Sequence, residues 1–182
     1  KILNHAMLEL IGIERLMDTK RNEQYNVIEA ELKRGLRFNP QDSDVAQALT
    51  AIQAARKKSQ ADVQRALESA RFPPSMKGFP GPGSVADLTA AVRTYYTQAY
   101  PKEQLLAVSL SGGWKSTKQY LLGQPIQWGL PVYCASRQDE PGVCRVFKMT
   151  VLTGIGAGIA KAPPFTDHWT GDSYRMLIKH VK

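Results

Sequence analysis

Residues 126–153 read IQWGLPVYCASRQDEPGVCRVFKMTVLT, two apolar runs on either side of a polar centre. Asp139–Gly142 carries strong turn chemistry, because Asp, Pro and Gly each favour a backbone that reverses direction. The flanking runs Ile126–Ser136 and Val143–Thr153 therefore predict an antiparallel strand pair. Centring the hairpin on Asp139 sets Cys134 opposite Cys144, Val132 opposite Val146 and Ile126 opposite Leu152. A slip of one residue would send the paired side chains to the wrong faces. Directly opposed residues come close enough for a disulfide only at non-hydrogen-bonded positions. The register thus permits a Cys134–Cys144 bridge without demanding one, and two buried free thiols are the alternative. A bridge would belong to the periplasm or the outside of a cell. On that argument an extracytoplasmic protein is expected.

Outward from the hairpin, Leu105–Leu110 predicts a short apolar strand and Tyr174–Val181 a last one. Gly154–Gly158 and Ala162–Phe165 read as irregular loop. Ser84 is placed to cap a helix over Val85–Ala99, with Leu88, Ala91, Val92 and Tyr95 on one face. Tyr100-Pro101 stops it. One helix followed by antiparallel strands makes residues 84–182 an α+β domain.

Upstream, residues 73–83 hold four prolines and three glycines, which cannot continue a helix. They read as a stiff linker or surface loop, with a Pro-rich recognition ligand as the minor alternative. Before them, Leu3, Ala6, Leu10, Ile13 and Met17 recur at helical spacing. The stripe lapses through Asp18–Gln24 and resumes at Tyr25, Ile28 and Leu32, as one curved helix or two. Asn39-Pro40 ends it. Asp42-Ser43-Asp44 opens a second helix, whose apolar side carries Val45, Leu49, Ile52, Val63 and Leu67. Two long helices joined by a short loop predict an antiparallel helical hairpin over residues 1–72.

The chain of 182 residues is 43% hydrophobic, enough for a packed core, and its formal net charge is +8. Residues 1–72 hold 12 basic and 10 acidic side chains; residues 73–182 hold 12 and 6. The second part could attract an anionic polymer, but its cations are scattered singly, which disfavours nucleic acid. No apolar run is long enough to span a membrane. The sequence starts at Lys1 rather than Met, so an origin inside a longer precursor is expected, with any signal peptide or lipid anchor removed.

Chemistry-bearing motifs are incomplete. Ser111-Gly112-Gly113-Trp114-Lys115-Ser116-Thr117 follows a strand, where backbone amides can cradle phosphate. A Walker A loop needs Lys directly after Gly, and Trp114 intervenes. The stretch also resembles the SGGxDS loop of PP-loop ATP pyrophosphatases, with Lys115 in place of the acidic residue. His5, His168 and His180 are far apart, and no metal or cofactor site is expected. Asp167-His168-Trp169 sets an acid beside a base without a nucleophile to serve. Trp114, Lys115, Trp128 and Tyr133, with Phe147, are candidates for lining a ligand pocket on a curved sheet, against the alternative that the aromatics fill the core.

The order helix, Tyr100-Pro101, Leu105–Leu110, Trp114, Gly123 and a hairpin containing Cys144-Arg145-Val146-Phe147 resembles small secreted bacterial domains of cystatin/NTF2-like architecture. That resemblance covers residues 84–182 and implies a helix packed on a curved sheet, in domains that are mostly binding or assembly modules. The expectation is a non-enzymatic binding or scaffold module of the bacterial envelope. The hairpin would bind a protein partner or a second copy, and the α+β domain a further partner. A nucleotide-binding enzyme using Ser111–Thr117 and an anionic-polymer binder are the rivals.

Overall fold

The computed structural model describes residues 18–120, 123–157, 159 and 164–181. The chain divides into two compact units, residues 1–66 and 67–182. The fold is α+β, with helices preceding a five-stranded antiparallel sheet.

In the first unit, helix α1 (Asp18–Phe38) runs without interruption through Asp18–Gln24, where the apolar stripe lapses. The stripe over residues 3–17 lies outside the described residues. Helix α2 (Ser43–Ser69) starts where the Asp42 carboxylate accepts from the Val45 amide at 3.1 Å, an N-cap bond. Tyr25, Ile28 and Leu32 of α1 are buried with Val45 and Ile52 of α2. Arg56 of α2 pairs with Glu29 of α1 at 3.3 Å, and Arg21 donates to Ser59 at 3.3 Å.

In the second unit, helix α3 (Val85–Ala99) begins at Ser84, whose hydroxyl accepts from the Asp87 amide at 3.1 Å. Leu88, Val92 and Tyr96 form its buried line, with Ala91 and Tyr95 on the flank. The strands are β1 (Leu105–Leu110), β2 (Lys115–Gln119), β3 (Pro125–Arg137), β4 (Val143–Thr153) and β5 (Phe165–Leu177). A 3-10 turn follows at Ile178–His180. The sheet order is β1-β3-β4-β5, and β2 pairs with the same edge of β3 that β1 uses. The last strand thus starts at Phe165, nine residues before the expected Tyr174, and ends before Ile178. β2 has no apolar run to announce it. Both are defined by ladder hydrogen bonds and stay largely exposed, so their sequences need no alternation.

Both faces of the sheet are covered. Leu110, Leu130, Val132, Cys134, Met149 and Val151 pack with Leu88, Val92 and Tyr96 of α3. On the opposite face, Ala107, Ala135, Cys144, Val146 and Met176 meet Ala70, Phe72, Ile178 and Val181. Each large apolar side chain buried in these layers contributes roughly 1.5–3 kcal/mol. The Pro/Gly-rich segment 73–83 is fastened along β1 rather than free. The Met76 amide donates to the Leu110 carbonyl at 3.0 Å, and the Leu110 amide to the Ser75 hydroxyl at 3.2 Å.

The β3–β4 register corrects the expected cysteine pair. Cys134 lies opposite Phe147 and Cys144 opposite Arg137. The expected apolar partners shift as well, since Val132 faces Met149 and Leu152 faces Gly129. The cause is the turn. The Val143 amide donates to the Glu140 carbonyl at 3.2 Å, and Gly142 has φ 78°, which makes Glu140–Val143 a type II turn with Pro141-Gly142 at its centre. That turn lies later in the chain than Asp139, so the strands slide by three residues. An odd slide puts the two cysteines on opposite faces, Cys134 under α3 and Cys144 against Phe72 and Ile178. Both are free and buried. The disulfide, and with it the argument for an extracytoplasmic location, is not supported by this register.

Two outcomes follow. Under denaturing, non-reducing conditions both thiols should titrate with a thiol reagent, and neither should react in the native state; a denatured chain with no titratable thiol contradicts the register. Gly142→Ala should lower stability by about 1–2 kcal/mol in denaturant unfolding, because a Cβ is disfavoured at positive φ.

Candidate functional site

Helix α3 and strand β5 meet along a continuous row of rings. Trp114, in the turn between β1 and β2, stacks on Phe165 at 6.0 Å between centroids. Phe165 meets the edge of Tyr95 at 6.4 Å. Tyr95 and Tyr100, one near each side of the C-terminal turn of α3, both reach His168. The Tyr95 hydroxyl is 2.7 Å from Nδ1 and the Tyr100 hydroxyl 2.5 Å from Nε2. Tyr96 continues the row against Tyr100 at 4.8 Å and donates from its hydroxyl to the Glu103 carboxylate at 2.6 Å.

The local sequence explains this placement. Tyr95 and Tyr96 precede the helix end by one turn, while Tyr100 is its C-cap residue, with its amide on the Tyr96 carbonyl at 2.8 Å. The three phenols therefore fan around the end of α3. His168 lies opposite Val151, a residue of the helix-covered face, and so points back toward that end.

The two phenols account for the hydrogen bonding of the ring. A neutral imidazole has one donor and one acceptor nitrogen, so one phenol donates to the ring and the other accepts from it. Both ring nitrogens are thereby occupied. Asp167, the acid beside the base in sequence, accepts from the His168 backbone amide at 2.8 Å and does not orient the ring. Burial raises the pKa of Tyr95, helped by the Asp167 carboxylate and by Tyr100. Burial also raises Tyr100, with Glu103 and Cys134 adding to it against the Thr170 hydroxyl, which lowers it. Tyr96 is pushed up further, by burial and by its bond to Glu103. The phenols are thus neutral hydrogen-bonding groups through the physiological range. Beneath them, burial pushes the Cys134 thiol up to about 12, which keeps it protonated.

Of the expected ligand-lining residues, Trp114 alone belongs to this row. Lys115 opens β2, exposed and opposite Gly129. Trp128 is half-buried opposite Ser116. Tyr133 packs on the other face, in the layer around Cys144 and Met176. Phe147 packs against the α3-covered core with the Arg145 guanidinium 5.4 Å from its ring. The expected lining residues therefore do not converge. Ser111–Thr117 runs from the end of β1 into β2. Its Ser111 amide is taken by the Pro131 carbonyl at 3.0 Å, and its Trp114 indole by the Pro82 carbonyl at 3.3 Å. His5 lies outside the described residues. His180 is at the end of the chain, with Nδ1 2.9 Å from the Ala70 carbonyl and 3.0 Å from the Arg71 guanidinium. A groove of about 430 Å³ follows one side of α1, lined by Ala30, Glu31, Lys33, Arg34 and Arg37. Among the described residues, no group of His, Cys, Asp or Glu side chains could hold a metal ion, and no helix is long and apolar enough to cross a membrane.

Tyr95, Tyr100, Phe165 and His168 are the site residues that sequence reasoning missed. In the sequence His168 stands only as one of three scattered histidines and beside Asp167, and Phe165 lies in an expected loop. The sequence signal available is the pair Tyr95 and Tyr100 at the stop of a helix, and it does not reach Phe165 or His168 on β5. No family model, curated protein or solved structure matches the chain.

Two measurements check this geometry. Tyr95→Phe and Tyr100→Phe should each cost about 1 kcal/mol, and a double-mutant cycle of either with His168→Phe should return a coupling of similar size. The pH dependence has a definite sign. Cys134 and the three tyrosines hold their protons more tightly folded than unfolded. Their contribution is fully present below the unfolded values, about 8.5 for a thiol and about 10 for a phenol. It is lost as pH rises toward the folded ones. Denaturation midpoints should therefore fall between about pH 8.5 and 11, and Cys134→Ala should flatten the lower part of that decline; a flat profile contradicts the burial described.

Proposed function

We propose that the protein is a non-enzymatic binding and assembly module of cystatin/NTF2-like architecture, in which the α+β unit takes a partner along the ring row of α3 and β5. The observation that carries this reading is the saturated His168. A histidine with both nitrogens held by phenols is a rigid, satisfied anchor, while Trp114, Phe165 and Tyr95 beside it form a pre-organised aromatic platform. Aromatic residues concentrated at one place supply most of the energy in typical recognition surfaces.

The first unit supplies the assembly half of the proposal, as a helical hairpin over residues 1–72. In support, α1 keeps two large apolar side chains in solvent, Val27 at 52% and Phe38 at 84% exposure. They are eleven residues apart, three helical turns, and so lie on one stripe. A second copy of the chain or a partner helix would bury them by the usual packing of apolar stripes. The nucleotide rival is not favoured, since the amide of Ser111 and the indole of Trp114 already have partners.

Sedimentation equilibrium of the full chain tests the assembly half. Concentration-dependent association is expected, and Val27→Asp with Phe38→Asp should weaken it by about tenfold or more while leaving the helical content unchanged. A chain that stays monomeric throughout the micromolar to millimolar range contradicts it.

A further inference from the structure

The segment Phe79-Pro80-Gly81-Pro82-Gly83 has no role in the account above, yet it makes the most specific contact at Trp114. The indole N–H donates to the Pro82 carbonyl at 3.3 Å. A Cβ at Gly81 would fall 2.9 Å from the indole Cδ1, and a Cβ at Gly113 would fall 3.0 Å from the Pro80 ring. Phe79 packs into the core under α3. An indole that donates to a carbonyl of a Pro/Gly segment, with one proline ring set close over the neighbouring Gly113, is a contact of the kind used in proline-directed peptide recognition.

Here the ligand and the receptor are in one chain. We propose that Trp114, Gly113 and Phe165 form a receptor for aromatic-Pro-Gly-Pro-Gly peptide segments, occupied at rest by the chain's own residues 79–83. The proposal rests on the reading of the α+β unit as a binding module and names its partner class, an extended peptide of a partner protein.

Three features separate this from a strap that merely completes the core. The strap is the outermost layer, with Pro80, Gly81 and Pro82 all exposed. Between Lys77 and Gly83, among the described residues, it makes a single hydrogen bond, from Trp114, beside the packing of Phe79. Segments with few buried contacts and few hydrogen bonds open locally at low free energy. The platform beneath does not depend on the strap, because Trp114 stacks on Phe165 and Phe165 on Tyr95.

The geometry also sets selectivity. Gly81 has φ 148° and Gly83 φ 96°, so the bound segment is not a regular polyproline helix. Only glycine adopts those angles freely, and only glycine clears the indole. A competing peptide therefore needs Gly between and after its two prolines, and a plain run of prolines does not fit. A partner in trans must displace the internal copy, so its apparent affinity is the intrinsic affinity multiplied by the fraction of chains already open.

The test is a titration of the full chain followed by NMR at the Trp114 indole N–H resonance, assigned by its loss in Trp114→Phe. The probes are a synthetic peptide of the sequence of residues 76–85 and the same peptide with both prolines replaced by alanine. Wild-type protein should shift saturably with the first peptide at millimolar concentration and not with the second. Pro80→Ala with Pro82→Ala, which weakens the internal copy, should bind the first peptide about tenfold more tightly, and Gly113→Val in that background should abolish the binding. If the double variant does not fold, the wild-type titration decides alone. No shift of the Trp114 indole in wild type at millimolar peptide overturns the proposal, as does an equal shift with the alanine peptide. Self-association by sedimentation with no such shift would leave the assembly reading standing and remove this one.

Discussion

The turn at Glu140–Val143 sets the position of everything else in the second unit. Pro141 fixes φ near the value that the second residue of a type II turn requires, and Gly142 supplies the positive φ of the third. The turn is fastened from outside as well. The Gly142 carbonyl accepts from the Ile178 amide at 2.9 Å, and Glu140 pairs with Arg175. With the turn fixed, β3 and β4 pair from Arg137–Cys144 to Gly129–Leu152, and each side chain is assigned to a face. Val151 then faces α3, which brings its neighbour His168 of β5 to the same side. The ring row at the end of α3 is a consequence of that one register.

Close approach at Gly129 is a second constraint. A Cβ there would fall 2.7 Å from a methyl of Thr150 and 2.8 Å from one of Thr117, on the strands to either side. Glycine at this point lets β2 and β4 crowd together across β3, and β2 can then share the edge of β3 that β1 uses higher up. The turn linking β1 to β2 carries Trp114, so the same crowding helps to deliver the indole to Phe165.

Much of the fold could be read from the chain, for reasons that also explain the rest. α3 was legible because its cap and its stop are local chemistry, a Ser84 hydroxyl on a backbone amide and a Tyr-Pro step. β1, β3 and β4 were legible because they are buried along most of their length and rich in apolar residues. β2, of sequence KSTKQ, and the polar middle of β5 were not, since an exposed strand is held by its ladder and leaves no trace in hydropathy. The cysteines misled for a different reason. Their ten-residue separation fits a symmetric turn at Asp139, and only the demand of Pro141-Gly142 for the central turn positions breaks that symmetry. The site was legible only at Trp114. Its other members come from the end of a helix and from a distant strand, and no spacing in one dimension links Tyr95 and Tyr100 to His168.

The physical picture is of a module that spends its polar chemistry on internal satisfaction. Imidazole, phenols and indole are tied to one another or to backbone, and the Cys134 thiol is kept protonated by burial. Over the half-buried Trp114 lies an exposed stretch of the Pro/Gly segment, Pro80-Gly81-Pro82, whose last carbonyl takes the indole N–H. This account stands on the β3–β4 register, and cross-strand nuclear Overhauser contacts in the labelled full chain test it most directly. Backbone cross-peaks linking Cys134 with Phe147 and Arg137 with Cys144 are the predicted result. A cross-peak linking Cys134 directly with Cys144 would contradict it.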